Sequence, residues 1–198
     1  MSFILRHFFT KTETPMTTLL ALDTATEACS VALLHDGKVL SHYEVIPRLH
    51  AQRLLPMIKD LLGEAGIAMS ALDAIAFGRG PGAFTGVRIA IGVVQGLAFA
   101  LERPVLPVSN LAVLAQRAFR EHGVSQVASA PELATLPVDA SGQWFGSGTG
   151  WGYAERIPVS LAGHDASMLP HAQDLLTLAT FAWNRGEALS ADDAQPVY

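Results

Sequence analysis

A single cysteine, Cys29, in 198 residues leaves no partner for an internal disulfide and no set of thiolates for a zinc site. Its reading is a small hydrophobe buried in a strand. Charge is sparse as well: charged residues are 16% of the chain, no lysine follows Lys59, and the net charge is −5 with a pI near 5.7. Nucleic-acid affinity rests on clustered Lys and Arg, so an extended phosphate-binding face is excluded and any RNA contact has to be shared with a partner. Long apolar runs are missing too. The nearest to one, Val87 to Leu101, is interrupted by Arg88 and Gln95 and falls short of the ~20 apolar residues a membrane span needs. The histidines form no i,i+4 pair on a helix, so no zinc site is expected, and there is no Gly-x-Ser-x-Gly elbow to mark a nucleophile.

Half of the residues are apolar, enough for a sizeable core in one ordinary domain or two small lobes. Residues 1–15 stand apart from the rest, with Phe3, Phe8 and Phe9 near Arg6 and Lys11 but no long apolar core or small-residue cleavage site. They read as an upstream extension, disordered in the folded protein, and the fold is reasoned from Met16 onward.

From Thr18 to Asp23 the run TLLALD reads as a buried strand and ACSVALL, from Ala28, as a second. Asp36-Gly37 supplies a type I′ hairpin turn into a third strand, Lys38 to Val45. A helix is expected from His50 to Leu62, stopping at Gly63 or Gly66, with Pro56 bending it or marking its first turn. A strand follows (Asp73 to Phe77), then the loop GRGPGAFT, a helix from about Gly86 to Leu101, a strand (Val105 to Val108) and a helix (Asn110 to Glu121). The order implies an α/β fold, a mixed sheet covered by helices. Beyond Gly123 the pattern weakens, leaving a short strand candidate at Gln143 to Phe145 and a helix at Leu169 to Trp183 with Pro170 in its first turn.

Two places could hold an anion or a nucleotide. In the loop Gly78 to Gly86, the backbone N–H groups of Gly80, Gly82, Thr85 and Gly86 precede or open a helix, where a phosphate is favoured. The loop is no P-loop, because the lysine is absent, and a nicotinamide site would want an acid where Ser109 and Asn110 stand. The structural alternative is a tight turn with Thr85 capping the helix. At the end of the first strand, Asp23 and Thr24 could hold a hydrated cation and phosphate, or form an ordinary Asx turn. Gly92, Gly96 and Ala100 recur every four residues on the following helix, a flat strip where another helix can come close.

The segments LLALDTATEACSVALLHDGKVL, HAQRLLPMIKDLL and GRGPGAFTGVRIAIGVVQGLAFAL, followed by GSGTGW at Gly146 to Trp151 and AQPVY at Ala194 to Tyr198, resemble the TsaB (YeaZ) family of bacterial tRNA threonylcarbamoyladenosine biosynthesis proteins. The resemblance implies the ASKHA fold, two related lobes of the actin and sugar-kinase type, here with residues 16–109 as the first lobe and 110–198 as the second. It implies a cytoplasmic complex with TsaD and TsaE that transfers threonylcarbamoyl to adenosine 37 of tRNA. No cofactor is assigned to this chain, ATP and magnesium are assigned to the complex, and tRNA is met only through the complex.

In the family TsaB resembles a degenerate paralogue of TsaD, whose metal is held by a His-x-x-x-His pair. Laid on this sequence, that motif falls on Asn110 and Leu114, neither of which replaces an imidazole. The implied role is a non-catalytic scaffold, pairing with TsaD or with itself through a surface made of Leu54, Ile58 and Leu62 together with Gly92, Gly96 and Ala100. The alternatives are a stand-alone ASKHA ATPase using Asp23 and the glycine loop, and, last, a metallopeptidase. The sequence departs from the family between Val127 and Trp144, where an Asp-Ala-Arg strand pair and a Glu-x-x-Tyr element are missing. It also ends a few residues before its relatives do. The second lobe is therefore expected to be shortened.

Overall fold

The computed structural model describes residues 17–124, 127–128, 144–156 and 161–197. The N-terminal extension, Gln143 and Tyr198 lie outside the described residues. The chain forms two compact units. One is Leu114–Leu169; the other runs up to Val113 and takes in Pro170–Tyr198. The division differs from the one expected at 109/110: residues 170–197 group with the first sheet, because the final helix covers one of its faces.

The larger unit opens with the meander expected from Asp36-Gly37: β1 (Leu19–Asp23), β2 (Ala28–His35) and β3 (Lys38–Val45), paired antiparallel. β4 (Ala74–Gly78) pairs parallel to β1, and β5 (Val105–Val108) parallel to β4, giving a five-stranded sheet in the order β3-β2-β1-β4-β5. Parallel neighbours need helical crossovers, supplied by α1 (His50–Ala65) and α2 (Phe84–Leu101). Both lie on one face of the sheet, where Leu54, Met57, Ile58 and Leu61 of α1 and Val87, Ile91 and Val94 of α2 close over Leu20, Leu22, Val31, Leu33, Ile75 and Phe77. The alternate strand residues Leu19, Ala21, Ala32, Ala74 and Ala76 point the other way, toward α4 (Ala172–Asn184) and its Leu175, Leu176 and Ala179. Alanines on that face let the helix backbone approach the sheet closely.

Local signals explain most element ends. α1 runs through Gly63 and stops at Gly66, which is left-handed (φ +67); the amides of Gly66 and Ile67 donate back to the carbonyls of Gly63 and Leu62. Pro56 sits inside α1, not in its first turn. It is on the exposed side, where the carbonyl it leaves unbonded can meet water. α4 begins only after Pro170, with His171 as its N-cap: Nδ1 of the ring accepts from the Gln173 amide at 3.0 Å.

The smaller unit holds most of α3 (Asn110–His122) and a parallel three-stranded sheet, β6 (Val127–Ala128), β7 (Phe145–Ser147) and β8 (Gly163–Asp165), in that order. Leu114 and Ala118 pack with Met168, Val127 and Phe145, while Trp144 and Trp151 form a second cluster. The GSGTGW motif has a packing reason, since a Cβ on Gly146 would lie 2.7 Å from the Trp151 ring. Sequence periodicity places a strand at Gln143 to Phe145; β7 starts where that expectation ends and runs to Ser147.

Candidate functional site

The glycine loop leaves β4 and enters α2, and its polar groups turn inward. Asp23, at the end of β1, is fully buried. Its Oδ1 accepts from the Ala25 amide at 3.2 Å, an Asx turn, and its Oδ2 accepts from the side-chain amide of Asn110 at the start of α3. Asn110 spends its other end on the loop, with Oδ1 accepting from the Gly80 amide at 2.7 Å, while its own amide donates to the Gly80 carbonyl at 2.9 Å. Burial pushes the Asp23 carboxyl up to about 6, against the lowering pull of the Ala25 amide and of Asn110. Thr24, also buried, donates from its hydroxyl to the Gly86 carbonyl at 2.7 Å.

These contacts explain the loop's glycines without a ligand. A Cβ on Gly86 would sit 2.1 Å from the Thr24 carbonyl oxygen, and one on Gly78 would sit 2.0 Å from the Asp23 carboxylate. Gly80 adopts φ +106, and there a Cβ would meet the Val197 carbonyl oxygen at 2.2 Å. Gly82 lies against Ala25, and the next amide, that of Ala83, donates to the Ala25 carbonyl at 2.7 Å. Ala83 is the N-cap of α2 and no side chain caps the helix, so Thr85, one residue inside it, does not have the capping role considered for it. Five of the expected residues, Asp23, Thr24, Gly80, Gly82 and Gly86, thus meet at the junction of β1, β4 and α2, while Thr85 lies exposed outside these contacts. Asn110 and Val197 join the five, a meeting with no local sequence signal because Asn110 is 87 positions from Asp23.

The two helix faces nominated for a partner differ. Leu54, Ile58 and Leu62 of α1 are buried in the core under the sheet and cannot meet a partner, which corrects that half of the expectation. The physical reason is plain: the apolar face of an amphipathic helix is claimed first by its own sheet. Gly92, Gly96 and Ala100 of α2 instead lie exposed, and nothing lies within 4 Å of a Cβ placed on either glycine. Phe99 beside them is 79% exposed, and Phe84 at the start of the helix is 63% exposed with the Arg88 guanidinium 3.4 Å from its ring centre. By length and composition α2 could cross a bilayer, with a mean hydropathy of 1.7, yet a third of it is buried, by Val87, Ile91 and Val94 among others, against the sheet of this fold.

Elsewhere chemistry is sparse. Cys29 is buried in β2, with its thiol pushed up to about 12, mainly by burial and then by the charges of Glu44 and Asp23. Among the described residues no group of three or more His, Cys, Asp or Glu side chains is placed to hold a metal ion. Leu114 is buried in an apolar cluster with Ala118, Met168 and Phe145.

Residues 42–142 match the family model described as TsaD, tRNA N6-adenosine threonylcarbamoyltransferase. The chain is 38% identical to the tRNA threonylcarbamoyladenosine biosynthesis protein TsaB of Escherichia coli (strain K12), over 91% of this chain and 93% of that one. It is also 38% identical to the TsaB of Haemophilus influenzae, over 91% and 92%. The alignment with the Escherichia coli relative runs over 215 positions, and 91% of this chain is about 180 residues, so about 35 aligned positions have no counterpart here. A deficit of that size accords with the expectation of a shortened chain. Among solved structures, YeaZ from Pseudomonas aeruginosa superposes with a TM-score of 0.89 at 63% identity, over 92% of this chain and all of that one. The mixed sheet with its covering helices is thus an α/β fold of the actin-like ASKHA type. The chain belongs to the TsaB (YeaZ) family of tRNA threonylcarbamoyladenosine biosynthesis proteins.

Proposed function

We propose that this chain is a non-catalytic subunit of the cytoplasmic machinery that forms threonylcarbamoyladenosine at position 37 of tRNA, and that it acts by binding a TsaD-type partner through α2. One observation carries this reading: a helix with a mean hydropathy of 1.7 leaves Gly92, Gly96, Phe99 and Ala100 uncovered. A glycine inside a helix costs ~1 kcal/mol relative to alanine, and the monomer offers nothing in return at Gly92 or Gly96, where the space is open. A second helix lying against that strip supplies the missing reason, since small residues let two backbones approach closely. The match of residues 42–142 to a TsaD model supports a partner that carries an equivalent helix, so the pairing would be near-symmetric. A homodimer through the same strip is the competing pairing.

The non-catalytic role is supported by Asn110, whose side-chain amide is spent on Asp23 and Gly80, and by the aliphatic Leu114 one turn on. TsaE, ATP with magnesium, and tRNA belong to the assembly in this reading. The stand-alone ATPase is the weaker alternative, because the amides of Arg79, Gly80 and Ala83 already donate within the fold and both carboxylate oxygens of Asp23 are engaged. Titration of purified TsaD with the full chain, followed by calorimetry, tests the proposal. Saturable binding at micromolar concentration or below supports it; no heat and no comigration on gel filtration would remove it.

A further inference from the structure

The last ten described residues form a strap along α2 that the proposed pairing does not yet use. Leu189 makes an antiparallel bridge to the edge strand β5, its amide and carbonyl exchanging bonds with those of Val105 at 2.9 and 2.8 Å. Further on, the Ala194 carbonyl accepts from the Gln95 side chain of α2 at 3.0 Å while Ala194 itself is buried in the core. Val197 closes the strap, its amide donating to the Arg79 carbonyl at 2.7 Å in the loop that leads into α2. The strap is therefore tied down beside both ends of the helix. Between it and the C-terminal turn of α2 lies an open groove of about 540 Å³, lined by Ala98, Phe99, Pro104, Ala188, Leu189 and Ala191 among others, with Glu102 and Arg103 also at its walls.

Resting on the α2 pairing proposed above, we propose that this groove is the anchoring pocket of the same interface, and that it receives a bulky apolar side chain from the TsaD-type partner lying on the Gly92/Gly96 strip. Continuity is the first argument. Phe99 lines the groove and is also three residues from Gly96 on the exposed side of α2, so a chain laid on the strip reaches the groove without leaving the surface. The second is composition: the lining is mainly Ala, Pro, Leu and Phe, and Leu189 is 41% exposed although its backbone is fixed. The third is preorganisation. Three tethers hold the strap before any partner arrives, so filling the groove orders little, and anchors set in preformed pockets near an interface dominate affinity.

Leu189→Glu puts a charge in the groove and leaves the Val105 bridge, which is backbone only. The expected result in a binding titration with purified TsaD is an affinity at least ten-fold weaker than wild type, with an unchanged melting temperature. Gly96→Leu is the control for the underlying reading. Loss of binding in Gly96→Leu with wild-type affinity in Leu189→Glu overturns the pocket and leaves the pairing standing. Wild-type affinity in both overturns the pairing itself. Should Leu189→Glu fold poorly, a photo-crosslinking amino acid at position 189 of the full chain decides instead: crosslinks to TsaD from 189, and none from exposed Phe181 on α4, are expected, and their absence from 189 rejects the pocket.

Discussion

Glycines at three places in one helix make opposite predictions, and this provides a sharp handle on what α2 is for. At Gly92 and Gly96 a methyl group meets open space, so alanine there recovers only the helix propensity, ~1 kcal/mol at each position. The double variant Gly92→Ala/Gly96→Ala should therefore gain ~2 kcal/mol. At ~2–4 °C per kcal/mol for a chain of this size, its melting temperature should rise by about 4–8 °C in differential scanning calorimetry. Gly86, in the first turn of the same helix, should respond with the opposite sign. Its Cβ would stand 2.1 Å from the Thr24 carbonyl oxygen, a backbone atom that cannot step aside, so Gly86→Ala should lose stability or fail to fold. Partner binding reads the strip from its outer side: Gly96→Leu overpacks it by ~1–3 kcal/mol, a loss of roughly five- to 150-fold in affinity, while the unbound chain stays folded. A double alanine variant that melts lower than wild type would show that the strip already has an intramolecular role, and the reasoning would fail at its first step.

Three further outcomes follow from the buried contacts. The Asp23 carboxyl is raised from its ordinary 3.8 to about 6, so folding favours its protonated form. The extra stability is complete below pH 3.8 and is lost as pH rises through 6, about 3 kcal/mol at ~1.36 kcal/mol per pH unit. Urea denaturation from pH 4 to 7 should show this slope in wild type relative to Asp23→Asn, and parallel curves would refute it. Asn110→Ala leaves the Gly80 amide without its acceptor and the buried carboxylate without a donor, and should cost ~2–5 kcal/mol by the same assay while raising the Asp23 carboxyl further in a carbon-detected NMR titration. Ile58→Ala should cost ~2–5 kcal/mol as a core cavity yet leave the affinity of the folded protein for TsaD unchanged, as expected of a residue with no exposed surface.

The meander was legible because Asp36-Gly37 demands a hairpin and the strands before it, β1 and β2, are mostly apolar, and β3 appears with the bounds expected for it. A glycine does not by itself end a helix. Gly63 has an ordinary place inside α1, and only Gly66, with its left-handed backbone, ends it. An apolar stripe such as that of α1 suits a core or a partner surface equally well, and periodicity cannot choose between them; here the sheet takes it. What the sequence could not contain is the long-range pairing at the loop, where Asp23, Gly80 and Asn110 meet from three separated segments, and the return of residues 170–197 to the first sheet. The shortened second half was legible as missing motifs, and the relatives' extra aligned positions agree with it.

The most direct test is threonylcarbamoyl transfer to tRNA in a reconstituted mixture of TsaD, TsaE and an activated threonylcarbamoyl donor, compared with no added chain, the wild-type chain and Gly92→Leu/Gly96→Leu. Contact through α2 predicts that the wild-type chain restores modification while the double variant, still folded, does no better than its absence. Full activity with that variant, or modification by this chain without TsaD, would contradict the account.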